Sequence, residues 1–293
     1  MSHRGYLFVV LSLSILVQFG ECIEYYGNYI GSISTNGIEA EVYLVNTSHI
    51  QVVNFRTKTG ELAPLPFATL DQFGKPTLAS NVYQYLESPA GDWLLKLSSL
   101  GNRRSGVRFV LELPGSAAQW KQFAVIGTNG RTIASINIDK PAPKPFCCFE
   151  RESDIGLFGE YGIFSEPIEV LDSKTLRIPN FSYKASETPD GYFFAGIGPT
   201  IDTTSGKKAM IVGRDTPNRI CAMHQNIVDQ HMVVRLAEGQ TIYDIEWLSV
   251  FCYQYSHDFG HLDLGLVEDE ELVPPFMPDI RASPPPSLPQ QSC

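Results

Sequence analysis

The chain has 293 residues, 32 acidic against 22 basic side chains, and a net charge of −10. That balance excludes binding to nucleic acid by phosphate neutralisation, which needs clustered Lys and Arg. Outside the first residues no apolar run approaches the roughly 18 positions of a membrane span, so no transmembrane segment is expected.

At the N-terminus, Arg4 precedes an apolar run from Tyr6 to Phe19, and Gly20-Glu21-Cys22 supplies small residues at a cleavage point. Residues 1–22 therefore read as a secretory signal peptide, which predicts a secreted, extracellular protein. The sequons Asn46-Thr47-Ser48 and Asn180-Phe181-Ser182 make Asn46 and Asn180 candidate glycosylation sites. The remainder is long enough for two ordinary domains. Its many Val, Ile, Tyr and Phe, frequent Gly and Pro, and lack of long helical periodicity predict an all-β chain.

Glu41 to Phe55 lays over Pro167 to Phe181 without a gap, at an offset of 126 residues. Both copies read as strand, polar turn, strand, and both end in Asn-Phe. Phe67 falls on Phe193 at the same offset, and Phe123-Ala124-Val125-Ile126 parallels Trp247-Leu248-Ser249-Val250 at 124. A solenoid would repeat every 20–50 residues or so. This period predicts two tandem antiparallel sandwich or barrel domains instead, over 23–139 and 149–268. Between them Lys140-Pro141-Ala142-Pro143-Lys144-Pro145 opens a stiff linker, residues 140–148. Asn129-Gly130 predicts a hairpin between Phe123–Thr128 and Thr132–Ile138. Thr203 to Lys208 reads as a polar loop. Residues 269–293, dominated by Pro274 to Pro289, lack apolar periodicity and are expected to be disordered.

After the leader, five cysteines remain: Cys147, Cys148, Cys221, Cys252 and Cys293. An oxidising compartment favours disulfides, and an odd count leaves one thiol free or paired with another chain. A bond between adjacent Cys147 and Cys148 would strain the connecting peptide. The pairings to weigh are Cys147 or Cys148 with Cys221, and Cys221 with Cys252. Cys293, in the tail, suits an intermolecular link.

Tyr243 to Cys252 carries the period-two alternation of a half-buried strand, then turns apolar on both faces. It reads as one long strand that delivers Cys252 into a closed interior. A thiol there is either an inert core residue or a redox group. Trp247 reads as a core anchor, and Asp190 fits a turn beside Gly191 better than an acid catalyst.

The second copy resembles the DM-thirteen (Skeletor-like) domain family of secreted animal proteins. The residues that carry the resemblance run from Leu176 to Tyr183, through Asn180 and Phe181, then from Pro189-Asp190-Gly191-Tyr192 to Gly196. They continue in Tyr243 to Cys252 and in Phe259-Gly260-His261, so the likeness covers nearly all of 155–265. The resemblance implies an all-β extracellular domain with Cys252 as the characteristic cysteine. It also implies a redox or electron-transfer role in matrix or cuticle cross-linking, served by extracellular proteins or a separate redox partner. The first copy departs from the family: Thr128 is expected where the thiol would stand, and Pro64-Leu65-Pro66 replaces the Pro-Asp-Gly-Tyr motif. No haem-binding DOMON segment, cofactor or metal site is expected. His257 and His261 stand four apart, but beside a strand and Gly260 they do not share a helical face. No self-contained catalytic constellation appears, so the competing expectations are a thiol-bearing redox module and a noncatalytic matrix or adhesion module.

Overall fold

A computed structural model describes residues 24–102, 105–147, 156–268, 270–287 and 289–293. The leader over 1–22 and Cys148 lie outside these residues. The first region contains β1 (Asn28–Thr35), β2 (Ile38–Leu44), β3 (His49–Thr57), β4 (Leu62–Leu70), β5 (Pro76–Leu78), β6 (Asn81–Leu86), β7 (Trp93–Lys96), β8 (Val107–Glu112), β9 (Gln122–Gly127) and β10 (Thr132–Asn137). The second contains β11 (Phe158–Gly159), β12 (Glu169–Asp172), β13 (Thr175–Tyr183), β14 (Gly191–Gly196), β15 (Gly206–Lys208), β16 (Met210–Ile211), β17 (Ile227–Arg235), β18 (Trp247–Cys252) and β19 (His257–Asp263).

Each region is a sandwich of two antiparallel sheets, and among the described residues no sheet closes into a barrel. In the first, order β1-β2-β3-β8-β6-β7 faces order β10-β9-β4-β5. In the second, order β11-β19-β18-β14-β15 faces order β12-β13-β17-β16. The alternation of β2, with Ile38, Ala40, Val42 and Leu44 buried, puts one face of each strand into the core. There Phe55 and Phe109 meet Phe67 and Phe123 from the facing sheet. The second core joins Phe181 and Tyr183 to Phe193, Val250 and Cys252. Each fully buried ring contributes about 1.5–3 kcal/mol by removal from water.

The repeat is visible in hydrogen-bond register. Leu44 pairs Ile50 as Val170 pairs Leu176, and Phe67 pairs Val125 as Phe193 pairs Val250. Its Asn-Phe signature has a backbone cause. The pairing of β3 with β8 slips between Val52 and Phe55, and that of β13 with β17 slips between Ile178 and Phe181. At these bulges Asn54 has φ 53 and Asn180 φ 48, the left-handed region that Asn tolerates better than most residues. The preceding turns also match: Asn46 Oδ1 accepts the Ser48 N–H, and Asp172 Oδ1 accepts the Lys174 N–H.

Four expectations change. Tyr243 to Glu246 is turn, and only Trp247–Cys252 is strand. The Asp244 carboxylate accepts from Thr241 N and Oγ1 and folds its own turn, while Glu246 accepts from the distant Gly198 N. The loop after Thr203 ends early, because Gly206–Lys208 pairs with β14.

Thr128 does not match the family cysteine. Phe67 and Phe193 fix Val125 opposite Val250, so Gly127 stands in the place of Cys252 and Gln122 in that of Trp247. A one-residue slip would turn every side chain to the wrong face. The order of core residues, Phe123 and Val125 against Leu248 and Val250, agrees.

The proline-rich tail is pinned rather than disordered. Ser173 N–H donates to Pro274 O, and Leu94 on the edge strand β7 exchanges backbone hydrogen bonds with Asp279 and Arg281. Met277 packs against Tyr83, Leu94 and Val110. Composition missed this because the tail adds an extended segment to an existing edge, which needs no periodicity of its own.

Candidate redox site

Cys252 ends β18 between Gly191 of β14 and His257 of β19. It is 1% exposed and points into the core with Leu248 and Val250. Among the described residues it is the one free cysteine. The Cys221–Cys293 bond lies within the chain, so Cys221 pairs with neither Cys147, Cys148 nor Cys252, and the expected intermolecular role of Cys293 is replaced. The tail brings Cys293 back: Gln291 N–H donates to Asn218 O. Cys147 is itself disulfide-bonded.

The Pro189-Asp190-Gly191-Tyr192 motif builds the wall beside the thiol. Asp190, at φ 50, makes the tight corner, and its carbonyl accepts the Tyr253 N–H at 3.2 Å. Gly191 must lack a side chain, since a Cβ there would lie 2.3 Å from Tyr183 Oη. That phenol shares a hydrogen bond with Thr188 Oγ1, which also donates to Ala185 O. Met223 N–H donates to Gly191 O and closes the corner. Burial pushes the Tyr183 phenol above its ordinary pKa. Thr188 opposes that shift by hydrogen bonding, and the neighbouring Cys252 adds to it. The thiol thus sits in an apolar chamber whose polar neighbour is a protonated phenol.

The opposite face of β14 and β18 carries a second aromatic group. Phe194 stacks on Phe251 at 4.6 Å and on Trp247 at 5.9 Å between centroids. Trp247 is buried in this outer cluster, apart from the main core, and its Nε1–H donates to Gly198 O. Tyr192 and Tyr253 meet edge to face at 6.3 Å, and Lys208 Nζ lies 3.4 Å and 4.1 Å from their ring centroids. The Tyr192 hydroxyl donates to Asp190 Oδ1 at 2.9 Å. Burial first, and then Asp190, push the Tyr192 phenol up to about 12.

Other sequence candidates scatter. Asn46 and Asn180 lie at the turn and bulge described above, and Phe181 sits in the second core. His257 Nε2 lies 3.5 Å from Glu160, while His261 Nδ1 bonds Asp258. Among the described residues no three His, Cys, Asp or Glu side chains are grouped to hold a metal ion. No described helix is long and apolar enough to cross a membrane. Sequence reasoning missed Tyr183, Thr188 and Lys208 as neighbours, although Tyr183 closes the Leu176–Tyr183 motif and Gly191 marks its close approach.

Residues 159–264 match the family described as "Electron transfer DM13". The chain is 28% identical over 290 residues to Protein Skeletor, isoforms B/C, of Drosophila melanogaster, covering 94% of this chain and 33% of that protein. The match to isoforms D/E has the same identity and covers 17% of that protein. The chain thus spans a third or less of the length of these relatives. No solved structure gives a significant match. The second sandwich is therefore a DM13 domain, in a chain similar to Skeletor along nearly its whole length.

Proposed function

We propose that this protein is secreted and that its DM13 domain takes part in electron transfer through Cys252 during matrix or cuticle cross-linking. The observation that carries the reading is the contrast between Cys252 and Gly127. The same strand end folds without a thiol in the first sandwich, so architecture does not demand one in the second. The family description, the Cys221–Cys293 bond and the signal-like leader support the redox and extracellular parts. Asn46 and Asn180 would carry the glycans.

The chemistry is a two-electron oxidation. A peroxide attacked by the Cys252 sulfur gives a sulfenic acid and water, the electron pair passing from sulfur to the peroxide. A partner thiol then displaces the hydroxyl, releasing a second water and forming a disulfide. Burial makes local opening of the β14–β18 corner a condition of reaction. The protein contributes the thiol and its chamber; the oxidant and the partner thiol come from elsewhere in the matrix.

A noncatalytic adhesive role is favoured by one observation, the near-complete burial of Cys252. The Cys252→Ser variant separates the two. The redox reading expects a folded protein that no longer supports oxidant-dependent cross-linking of matrix extracts. Cross-linking at the wild-type level would remove Cys252 from the chemistry.

A further inference from the structure

The outer face of the DM13 sandwich holds a second oxidisable group that the thiol chemistry does not use. Tyr192 is buried, its hydroxyl donates to the Asp190 carboxylate, and its ring is linked through Tyr253 to solvent. Tyr253 is 41% exposed and also meets Phe194 edge to face at 6.1 Å. From Phe194 the stack runs on to Phe251 and Trp247. Tyr192 pairs in register with Phe251, and Gly191 with Cys252, so this face and the thiol chamber share two adjacent strands.

We propose that the Tyr192–Asp190 pair is a proton-coupled one-electron redox site, with Tyr253 as its contact to outer-sphere one-electron oxidants such as a metal(III) complex. The inference rests on reading the domain as an electron-transfer module, and gives it an entry for oxidants that cannot reach a buried thiol. The step balances: the phenol loses one electron to the oxidant, reducing metal(III) to metal(II), and its proton moves to Asp190 Oδ1. The products are a neutral tyrosyl radical and a protonated carboxyl. An oxidised phenol is a strong acid and releases its proton, and Asp190, already accepting from the Tyr192 hydroxyl, is placed to take it.

Lys208 sets the sign of the tuning. Its ammonium lies against both rings and near Asp190, and oxidation removes the negative charge of the pair. The nearby cation therefore makes the site harder to oxidise, and Lys208→Met makes it easier.

The test is flash photolysis of the intact protein with a ruthenium tris-bipyridine photo-oxidant, reading the tyrosyl radical by transient absorption and electron paramagnetic resonance. Wild type is expected to give a hydrogen-bonded tyrosyl radical with a solvent deuterium isotope effect. Tyr192→Phe removes that signal. Asp190→Asn, which keeps the left-handed corner, slows its formation about 100-fold and abolishes the isotope effect. Tyr253→Phe slows formation with the Tyr192 signature retained. An unchanged radical in Tyr192→Phe, or an unchanged rate in Asp190→Asn, overturns the proposal and leaves a packing cluster. Cys252→Ser separates this proposal from the thiol reading. A retained Tyr192 radical together with unimpaired cross-linking sinks only the thiol; loss of cross-linking with no Tyr192 radical in wild type sinks only the tyrosine site.

Discussion

The two sandwiches repeat one ladder down to its bulges, then differ at the strand end that carries Cys252. Asn54 and Asn180 make the same left-handed bulge, and Phe55 and Phe181 fill the same core position. Where the first ladder ends in Gly127, the second ends in Cys252, faced by Gly191, Tyr183 and Thr188. Shared features are therefore what the fold needs, and unshared ones point to what the second sandwich adds.

The largest test of the shared part is a pair of truncations. Phe55→Ala and Phe181→Ala should each cost about 3–5 kcal/mol, read by denaturant unfolding of the chain. A loss below about 1 kcal/mol in either would break the equivalence of the two cores. The tail leans on the first region at Leu94 and is bonded to the second through Cys293. Cys293→Ser opens a loop spanning a separation of 72 residues, worth up to about 4 kcal/mol on the chain-entropy account. Thermal unfolding should show the loss, and limited proteolysis should cut between Pro274 and Pro289 faster. Unchanged protection would mean that the contacts to Leu94 hold the tail without the bond.

The sequence carried the all-β class, the repeat, the Asn-Phe signature and burial of Cys252, because each rests on local pattern or on residue type. It misplaced the partner of Cys252 by one residue, since an offset read across a loop of variable length cannot fix register. Hydrogen-bond pairing of Phe67 and Phe193 does fix it. The strand through Tyr243 was illegible for another reason: Asp244 and Glu246 mimic the polar positions of an alternating strand, while Asp244 holds a turn and Glu246 reaches across to Gly198. The tail contacts and the Cys221–Cys293 bond depend on a long return of the chain, which no local pattern encodes. Tyr183 and Lys208 reach their sites only through tertiary packing.

Smaller effects sharpen the comparison. Asn54→Ala and Asn180→Ala should each cost about 1 kcal/mol through backbone strain, whereas replacement by Gly should be close to neutral. Equal losses support a common bulge; a tolerated Ala at either site would separate them. Acidification should move the two regions in opposite directions. Burial lowers the His49 pKa, so the unfolded chain takes up the proton more readily and the first sandwich loses stability as pH falls through about 6.5. Burial raises the Asp172 pKa against the hydrogen bonds that oppose it. The native state then binds that proton first, and the second sandwich gains stability as pH falls from the raised value towards about 4. Hydrogen exchange at several pH values, read separately for β3 and β13, checks both signs.

The claim that Cys252 is kept for chemistry while the fold can do without it is tested most directly by titrating oxidising equivalents into folded wild type and Cys252→Ala. Both proteins are expected to fold; wild type should consume peroxide equivalents at Cys252 with sulfenic acid trapped there, and the variant should consume none at that site. Equal consumption by the two proteins, or a variant that does not fold, would contradict it.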